Sequence, residues 1–274
     1  MGGENTILVS VLVMSYNAEA YIIDLLESIL HQQYAELELI IADDNSRDRT
    51  IEKIKHWLLM NGGRFERTRL LTSDRNNGTV RNINNGLKYC KGKFIKIIAA
   101  DDILMSNCIS DSVKVCLNHN WEMVIGKAEW VQDDGKSPAL HNENKRAEDA
   151  FYKMSFLKKY QGFDEAYTLI EDYPFWLKIT ANGDHINHFD HVVVKYRQSI
   201  TSATNPEKAV QIYNARITKD SKKIFYRQRM WGLLKNGQIK IVVRNIRRYF
   251  IRDLVIMLGN SSKNKLCYAL TRFE

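Results

Sequence analysis

The chain has 274 residues, 45% of them apolar, with only 14 glycines and 3 prolines. That composition excludes a disordered or low-complexity chain and fits one large α/β domain, or one domain with an appendage. The net charge of +8 is unevenly placed: ten of the 40 basic residues lie between Lys222 and Arg252, a span with no Asp or Glu. The body is therefore near neutral and the basic character belongs to the C-terminal part, which argues against nucleic-acid binding as the main role. Residues 1–6 are polar and no run of about 18 apolar residues occurs, so neither a secretory leader nor a membrane-spanning helix is expected. The 4 cysteines, Cys90, Cys108, Cys116 and Cys267, show no CxxC spacing and read as reduced, buried thiols of a cytoplasmic protein.

Ile7 to Met14 (ILVSVLVM) is continuous, apolar and rich in β-branched residues, the pattern of a strand buried on both faces. Ser15-Tyr16-Asn17 ends it. Ile22, Leu25, Leu26, Ile29 and Leu30 then recur at helical spacing between Ala18 and His31. Leu37 to Ala42 is a second strand, ending on Asp43-Asp44-Asn45-Ser46. Asp48 is placed to cap a helix whose apolar stripe is Ile51, Ile54, Trp57 and Leu58.

Arg69 to Thr72 reads as a short third strand. Asn76-Asn77-Gly78 is a turn before a helix from about Thr79 to Cys90, and Phe94 to Ala99 is a fourth strand. The β-α alternation predicts a doubly wound, mostly parallel sheet, in which ligands bind beyond the carboxyl ends of the strands. Three polar clusters, Ser15-Tyr16-Asn17, Asp43-Asp44 and Asp101-Asp102, all follow strand ends and are predicted to face one crevice. Further on, the pattern predicts a helix over 106–118, strands at 123–125 and 128–131, a turn at 133–135, and a polar, irregular loop over 135–150. A helix over 173–181 and a strand at 192–196 complete the reading.

Asp101 and Asp102 end the apolar run FIKIIAA. Unpaired burial of either would cost several kcal/mol, so a cation is expected there. Mg²⁺ or Mn²⁺ suits such oxygen ligands and commonly bridges carboxylates to substrate phosphates. A capped turn before the next helix is the plainer alternative. Asp43-Asp44 reads either as a turn with a helix cap or as an acceptor for a nucleobase, on which Tyr16 would stack. None of the seven histidines has ligand spacing.

Three segments, VSVLVMSYNAEAYIIDLLESILHQQY, LELIIADDNSRDRT and GKFIKIIAADDILM, together resemble family 2 glycosyltransferases of the GT-A fold over roughly residues 7–200. The resemblance implies inverting, metal-dependent transfer of a sugar from a nucleotide-sugar, with UDP the expected nucleotide. It implies that Tyr16 lies against the base, Asp44 reads a base edge, Asp101 lies near the ribose and Asp102 ligates the cation. In LIEDYPFWLKI it implies that Glu171 and Asp172 form the family's acidic pair, with Asp172 as catalytic base; a helix cap is the other reading of Asp172. Gln32 matches a recurrent family position. NNGTVRNINNGL departs from the family pattern, since Ile83 stands where an Arg is usual; Arg81 is the candidate substitute on phosphate. YRQSITSAT carries Gln198 and no His, which leaves the cation without an expected third protein ligand.

The expected organisation is a GT-A catalytic domain over 1–205, with a nucleotide-sugar half to about 105 and an acceptor half over 106–205. A helical, basic C-terminal extension is expected over 206–274. In that extension Val242, Ile246, Tyr249, Phe250 and Met257 share one helical face, opposite Lys240, Arg244, Arg247, Arg248 and Arg252. This suits peripheral contact of the 222–257 segment with an anionic membrane, at the cytoplasmic face of a bacterial inner membrane; a helix packed on the catalytic domain is the alternative. The expected acceptor is a glycan or lipid-diphosphate-linked sugar in polysaccharide or O-antigen synthesis. Two other functions compete: a nucleotidyltransferase, disfavoured because VMSYNAEAY lacks a Gly-rich, basic triphosphate loop, and a non-catalytic module binding nucleic acid or anionic lipid.

Overall fold

The apolar run near the N-terminus forms β1 (Val9–Ser15), in which Val9, Val11, Leu12 and Val13 are fully buried. Burial on both faces explains why its sequence does not alternate. The structure, a computed structural model, describes residues 7–132, 147–165 and 171–197. The expected extension over 206–274, Cys267 and Gln198 lie outside the described residues.

β2 (Leu37–Asp43) and β4 (Phe94–Ala99) pair with β1 in parallel on either side, and β3 (Arg67–Thr72) adds a parallel strand outside β2. Three helices make the crossovers: α1 (Ile22–Leu30), α2 (Thr50–Asn61) and α3 (Thr79–Leu87). α1 buries Ile22, Leu25, Leu26 and Ile29 against one face of the sheet, beside Ile54 and Trp57 of α2. α3 buries Val80 and Ile83 against Leu12, Ile40 and Ala42 on the other face. Helices thus cover both sides of the sheet, as the alternation predicted.

The second half begins with β5 (Ile103–Leu104) and α4 (Cys108–His119), continues through β6 (Met123–Val131), β7 (Ala147–Lys153) and α5 (Met154–Lys159), and ends with α6 (Asp172–Ala181) and β8 (Asn187–Arg197). All eight strands form one sheet in the order β3-β2-β1-β4-β7-β6-β8-β5. β7 and β5 run against the rest. The junction between the halves is short: β4 and β7 pair only through Phe94–Lys153, Ile95–Tyr152 and Lys96–Phe151.

Part of the expected 135–150 loop is a strand. Residues 147–150 open β7, which lies between β4 and β6 at the middle of the sheet. Its first residues looked polar because Asp149, buried in the sheet, pairs with buried Lys96 of β4. The two short strands expected at 123–125 and 128–131 are one strand, β6, whose pairing with β8 shifts register near Lys127.

A second buried charge fastens the floor of the fold. Glu38 of β2 accepts from Ser10 Oγ at 2.6 Å, Arg67 Nη2 at 2.6 Å and Gly92 N at 2.9 Å. Desolvation pushes the Glu38 carboxyl up, but these hydrogen bonds outweigh it and hold the group below its ordinary range. Cys90, Cys108 and Cys116 are free and buried, and burial pushes each thiol up to about 12.

Candidate active site

The ends of β1, β2 and β4 open onto one cleft, which divides into two adjoining cavities. The larger, of about 920 Å³, is lined by Ser15, Tyr16, Asn17, Asp44, Asp48 and Asp101 among others. The smaller, of about 340 Å³, is lined by Asp101, Asp102, Asp149, Glu171 and Asp172, with Trp130, Tyr152 and Tyr196. Met14, Thr79, Ala99 and Asp101 belong to both. The three polar strand ends therefore face a common crevice, as their spacing predicted.

In the larger cavity the loops are held by short side chains. Asn17 and Asn45 both have left-handed backbones, at φ 47° and 67°, a conformation that Asn tolerates better than most residues. Asn17 Oδ1 accepts from Arg47 N at 2.8 Å, while Asp43 accepts from Ser46 N at 2.8 Å and Ser46 Oγ at 2.6 Å. Asp44 joins the end of β2 to the start of α3: Oδ1 accepts from Asn77 N at 2.9 Å and Oδ2 from Gly78 N at 2.7 Å. Its carboxylate is thus already oriented, with acceptor capacity left for a ligand. Tyr16 lines this cavity and is 49% exposed. Asp48 was expected to cap α2, but the cap residue is Arg49; Asp48 stands one residue before it and accepts from Thr50 N at 3.0 Å and from Glu19 N at 3.1 Å.

Asp101 and Asp102 follow β4. Burial pushes both carboxyls above their ordinary range, and for Asp102 the adjacent Asp101 adds to it. Asp102 Oδ1 accepts from the main-chain N of Arg197 at 3.1 Å. The Arg197 side chain donates from Nε to the Asp101 carbonyl at 2.9 Å and from Nη2 to Asp24 Oδ2 at 2.9 Å. Two further carboxylates line the same cavity: Glu171 immediately precedes α6 and Asp172 is its first residue. Desolvation, then the charges of Glu171 and Asp149, push the Asp172 carboxyl up to about 8. Its Oδ1 accepts from Tyr152 OH at 3.3 Å. Burial also raises Glu171.

Among the described residues, no group of three or more His, Cys, Asp or Glu is arranged to hold a metal by itself. Asp101 and Asp102 do fit a cation whose remaining ligands come from a bound diphosphate. They are two adjacent hard oxygen donors that burial disfavours as anions and a cation would favour.

Arg81 is not brought into the cleft. On α3 it is Thr79 and Ile83 that face the smaller cavity and Thr79 and Asn82 the larger, so helical spacing turns Arg81 outward. There it is exposed and paired with Glu165 Oε2 at 3.2 Å. Gln32 is buried and structural: Nε2 donates to Met105 O at 2.8 Å and Oε1 accepts from Ile109 N at 3.2 Å, fixing the segment after Asp102 against α1. Sequence reasoning missed Lys96, Asp149, Tyr152, Tyr196 and the role of Arg197. A lysine inside FIKIIAA was the available signal for the first two, because a core strand admits an ammonium only beside a counterion.

A crevice at the carboxyl ends of parallel strands, with two pairs of adjacent carboxylates lining one cavity, is a cleft of the GT-A kind. The profile of glycosyl transferase family 2 matches residues 10–173, more than half of the chain, and the protein belongs to that family. An uncharacterized glycosyltransferase of Haemophilus influenzae is 27% identical over 267 residues, covering 87% of this chain and 79% of that protein. The Escherichia coli UDP-Glc:alpha-D-GlcNAc-diphosphoundecaprenol beta-1,3-glucosyltransferase WfgD is 33% identical over 127 residues, 46% of this chain and 48% of WfgD. Among solved structures, Staphylococcus aureus TarS 1-349 in complex with UDP superimposes with a TM-score of 0.64 at 20% identity, covering 89% of this chain and 72% of TarS. The mannosyltransferase PcManGT of Pyrobaculum calidifontis, in complex with GDP-Man and Mn²⁺, gives a TM-score of 0.62 at 16% identity, covering 98% of this chain and 80% of PcManGT. The expected fold and family are borne out, and neither competing function is favoured.

Proposed function

We propose that this glycosyltransferase moves a hexose, with inversion, from a UDP-sugar to a hydroxyl of a glycan or lipid-diphosphate-linked acceptor in bacterial polysaccharide synthesis. The observation that carries the reading is that Asp101-Asp102, after β4, and Glu171-Asp172, at the start of α6, line the same cavity of about 340 Å³. An inverting displacement needs those two functions on opposite sides of the reacting carbon: charge stabilisation behind the leaving diphosphate and a base behind the acceptor oxygen. The likeness to WfgD, named for a UDP-Glc donor and a diphosphoundecaprenol acceptor, supports the choice of donor and acceptor class.

In this reading the larger cavity takes the nucleotide. Tyr16 stacks on the base, Asp44 accepts from a base edge, and Asp101, shared by both cavities, meets the ribose. Asp102 holds a divalent cation, Mn²⁺ or Mg²⁺; when bound, that cation supplies positive charge against the departing diphosphate. The Mn²⁺ named with PcManGT supports a divalent cation as the cofactor. Asp172, held by Tyr152, takes the proton of the acceptor hydroxyl at a carboxylate oxygen as the new bond forms. Glu171 lines the acceptor side. No protein nucleophile takes part, because a single displacement forms no covalent intermediate on the chain.

The domain division at 205/206 is part of the same proposal, as is a site of action at the cytoplasmic face of the inner membrane. Among the described residues no helix is long and apolar enough to cross a membrane. The basic 222–257 segment would make a peripheral contact instead, and a chain cut after Asp220 is then expected to bind anionic vesicles less well than the full chain. The central test is turnover of a panel of UDP-, TDP- and GDP-sugars with a lipid-diphosphate-linked acceptor, with and without Mn²⁺. Metal-dependent release of UDP with an inverted product is expected. Failure of every nucleotide-sugar to bind or turn over would overturn the reading.

A further inference from the structure

We propose that Lys96, buried and paired with Asp149 of the acidic cavity, is a positioning residue: the fixed countercharge that keeps Asp172 able to act as a base. The inference rests on the proposed role of Asp172.

Lys96 sits in β4, at the last residue pair before β4 and β7 part. Its side chain is 1% exposed, ion-paired with Asp149 Oδ1 and 3.3 Å from the Ala150 carbonyl oxygen. Asp149 in turn lines the smaller cavity with Asp102, Glu171 and Asp172. A buried ion pair is a poor way to stabilise a sheet, since an apolar pair of similar volume often does as well or better. Stability alone gives no reason for a lysine inside an apolar strand. The neighbouring chemistry does.

Five carboxylates line this cavity: Asp101, Asp102, Asp149, Glu171 and Asp172. Arg197 lines it too, but its guanidinium is engaged by the Asp101 carbonyl and by Asp24. Asp172 touches Tyr152 of β7 and shares the cavity with Glu171, Asp149 and Tyr196, while Lys96 of β4 lies behind Asp149 and acts on Asp172 through charge, as both members of that pair also do on Asp102. Glu171 and Asp149 favour the protonated form of Asp172, while Lys96 and the Tyr152 hydroxyl favour the anion. A charge held inside the protein acts more strongly than one in water. Asp149 fixes the ammonium where it can act, and Lys96 offsets the repulsion that Asp149 adds.

The test compares full-length K96M, D149N and D172N with the parent, reading kcat and donor KM as functions of pH, with melting curves to establish folding. In K96M, read with donor and Mn²⁺ saturating, the acid limb of kcat is expected to move up by about one pH unit, tenfold in the ionised fraction of the base; donor KM is expected to rise as well, because Lys96 also favours the anion of Asp102. In D149N the limb is expected to move down. A purely structural pair would lower the melting temperature of both variants and leave both limbs in place, which would overturn the proposal. If K96M does not fold, D149N decides alone: a limb that moves down supports the idea and an unmoved one overturns it. D172N separates the two claims. If D172N is inactive and the limbs of the other variants are unmoved, only the role of Lys96 falls; if D172N is fully active, the assignment of the base falls and the countercharge with it.

Discussion

The main-chain N–H of Arg197, the last residue of β8, donates to Asp102 Oδ1 at 3.1 Å, across 95 residues of sequence. The same residue holds the Asp101 carbonyl with its guanidinium. One arginine thus sets both the carboxylate and the main chain of the acidic turn. Arg197→Ala keeps the first contact and loses the second. It is expected to raise the donor KM and to destabilise by about 1–3 kcal/mol, the cost of an unsatisfied buried acceptor, measured by denaturant unfolding. Arg197→Lys is expected to recover little, because an ammonium cannot span two acceptors as a planar fork does.

Asp172→Asn removes the proposed base without changing its shape. We expect kcat to fall by about 10²–10⁴-fold with donor KM nearly unchanged, in steady-state assays. The variant is also expected to fold at least as well as the parent, because it removes a carboxyl whose charge burial opposes. A loss of fold instead of kcat would identify Asp172 as a structural cap.

The pH dependence follows from the same carboxyl, pushed up to about 8 in the folded chain. The base works as an anion, so kcat is expected to rise with pH through neutrality and level off above about 8. Stability moves the other way. The folded value lies above that of the unfolded chain, so the unfolded state loses the proton first. This contribution to stability is full below about pH 4 and is lost as pH rises to about 8. Denaturant midpoints of the parent are expected to fall over that window by more than those of Asp172→Asn.

Asp102→Asn tests the cation separately from catalysis. In the parent, a UDP-sugar is expected to raise the melting temperature more with Mn²⁺ than without. In the variant that difference is expected to vanish, while metal-free stabilisation by the nucleotide persists through Tyr16 and Asp44. An undiminished Mn²⁺ effect would remove Asp102 from the proposed ligand set.

Gly92→Ala tests the floor of the fold. A Cβ there would overlap the Ser10 main-chain nitrogen and lie 2.6 Å from Ser10 Oγ and 2.7 Å from Phe94 O. Two of these are backbone atoms that cannot swing aside. It would also disturb the Gly92 N contact to Glu38. We expect a loss of about 1–3 kcal/mol, as for other overpacked sites, with normal kcat for the fraction that folds.

The nucleotide-binding half was legible because its strands are buried on both faces and read as unbroken apolar runs. Phe94 to Ala99 was read to the residue as β4. β7 was not legible: its first three residues, Ala147-Glu148-Asp149, look like loop, and the lysine that makes Asp149 acceptable lies 53 residues away. β5 has two residues, too few to show any period. At the site, Asp44, Asp101 and Asp102 could be found because each follows a strand end, whereas Glu171 and Asp172, at the start of α6, were legible only through the resemblance of LIEDYPFWLKI to the family's acidic pair. Their counterions could not, since Lys96 and Arg197 reach them through the fold and no local spacing links the partners. Arg81 shows the converse: it sits near the family's usual position in sequence, yet the helical turn points it at Glu165.

The brevity of the β4–β7 pairing has a consequence for engineering. Past Lys96 the two strands diverge, and Ile97, Ala99, Asp149 and Ala150 become walls of the smaller cavity. The sheet thus supplies one part of that cavity where two neighbouring strands unzip, alongside Thr79 and Ile83 of α3 and Asp172 of α6. Swapping surface loops between relatives should therefore alter the groups that complete the chamber, while the part built by the diverging strands stays in place.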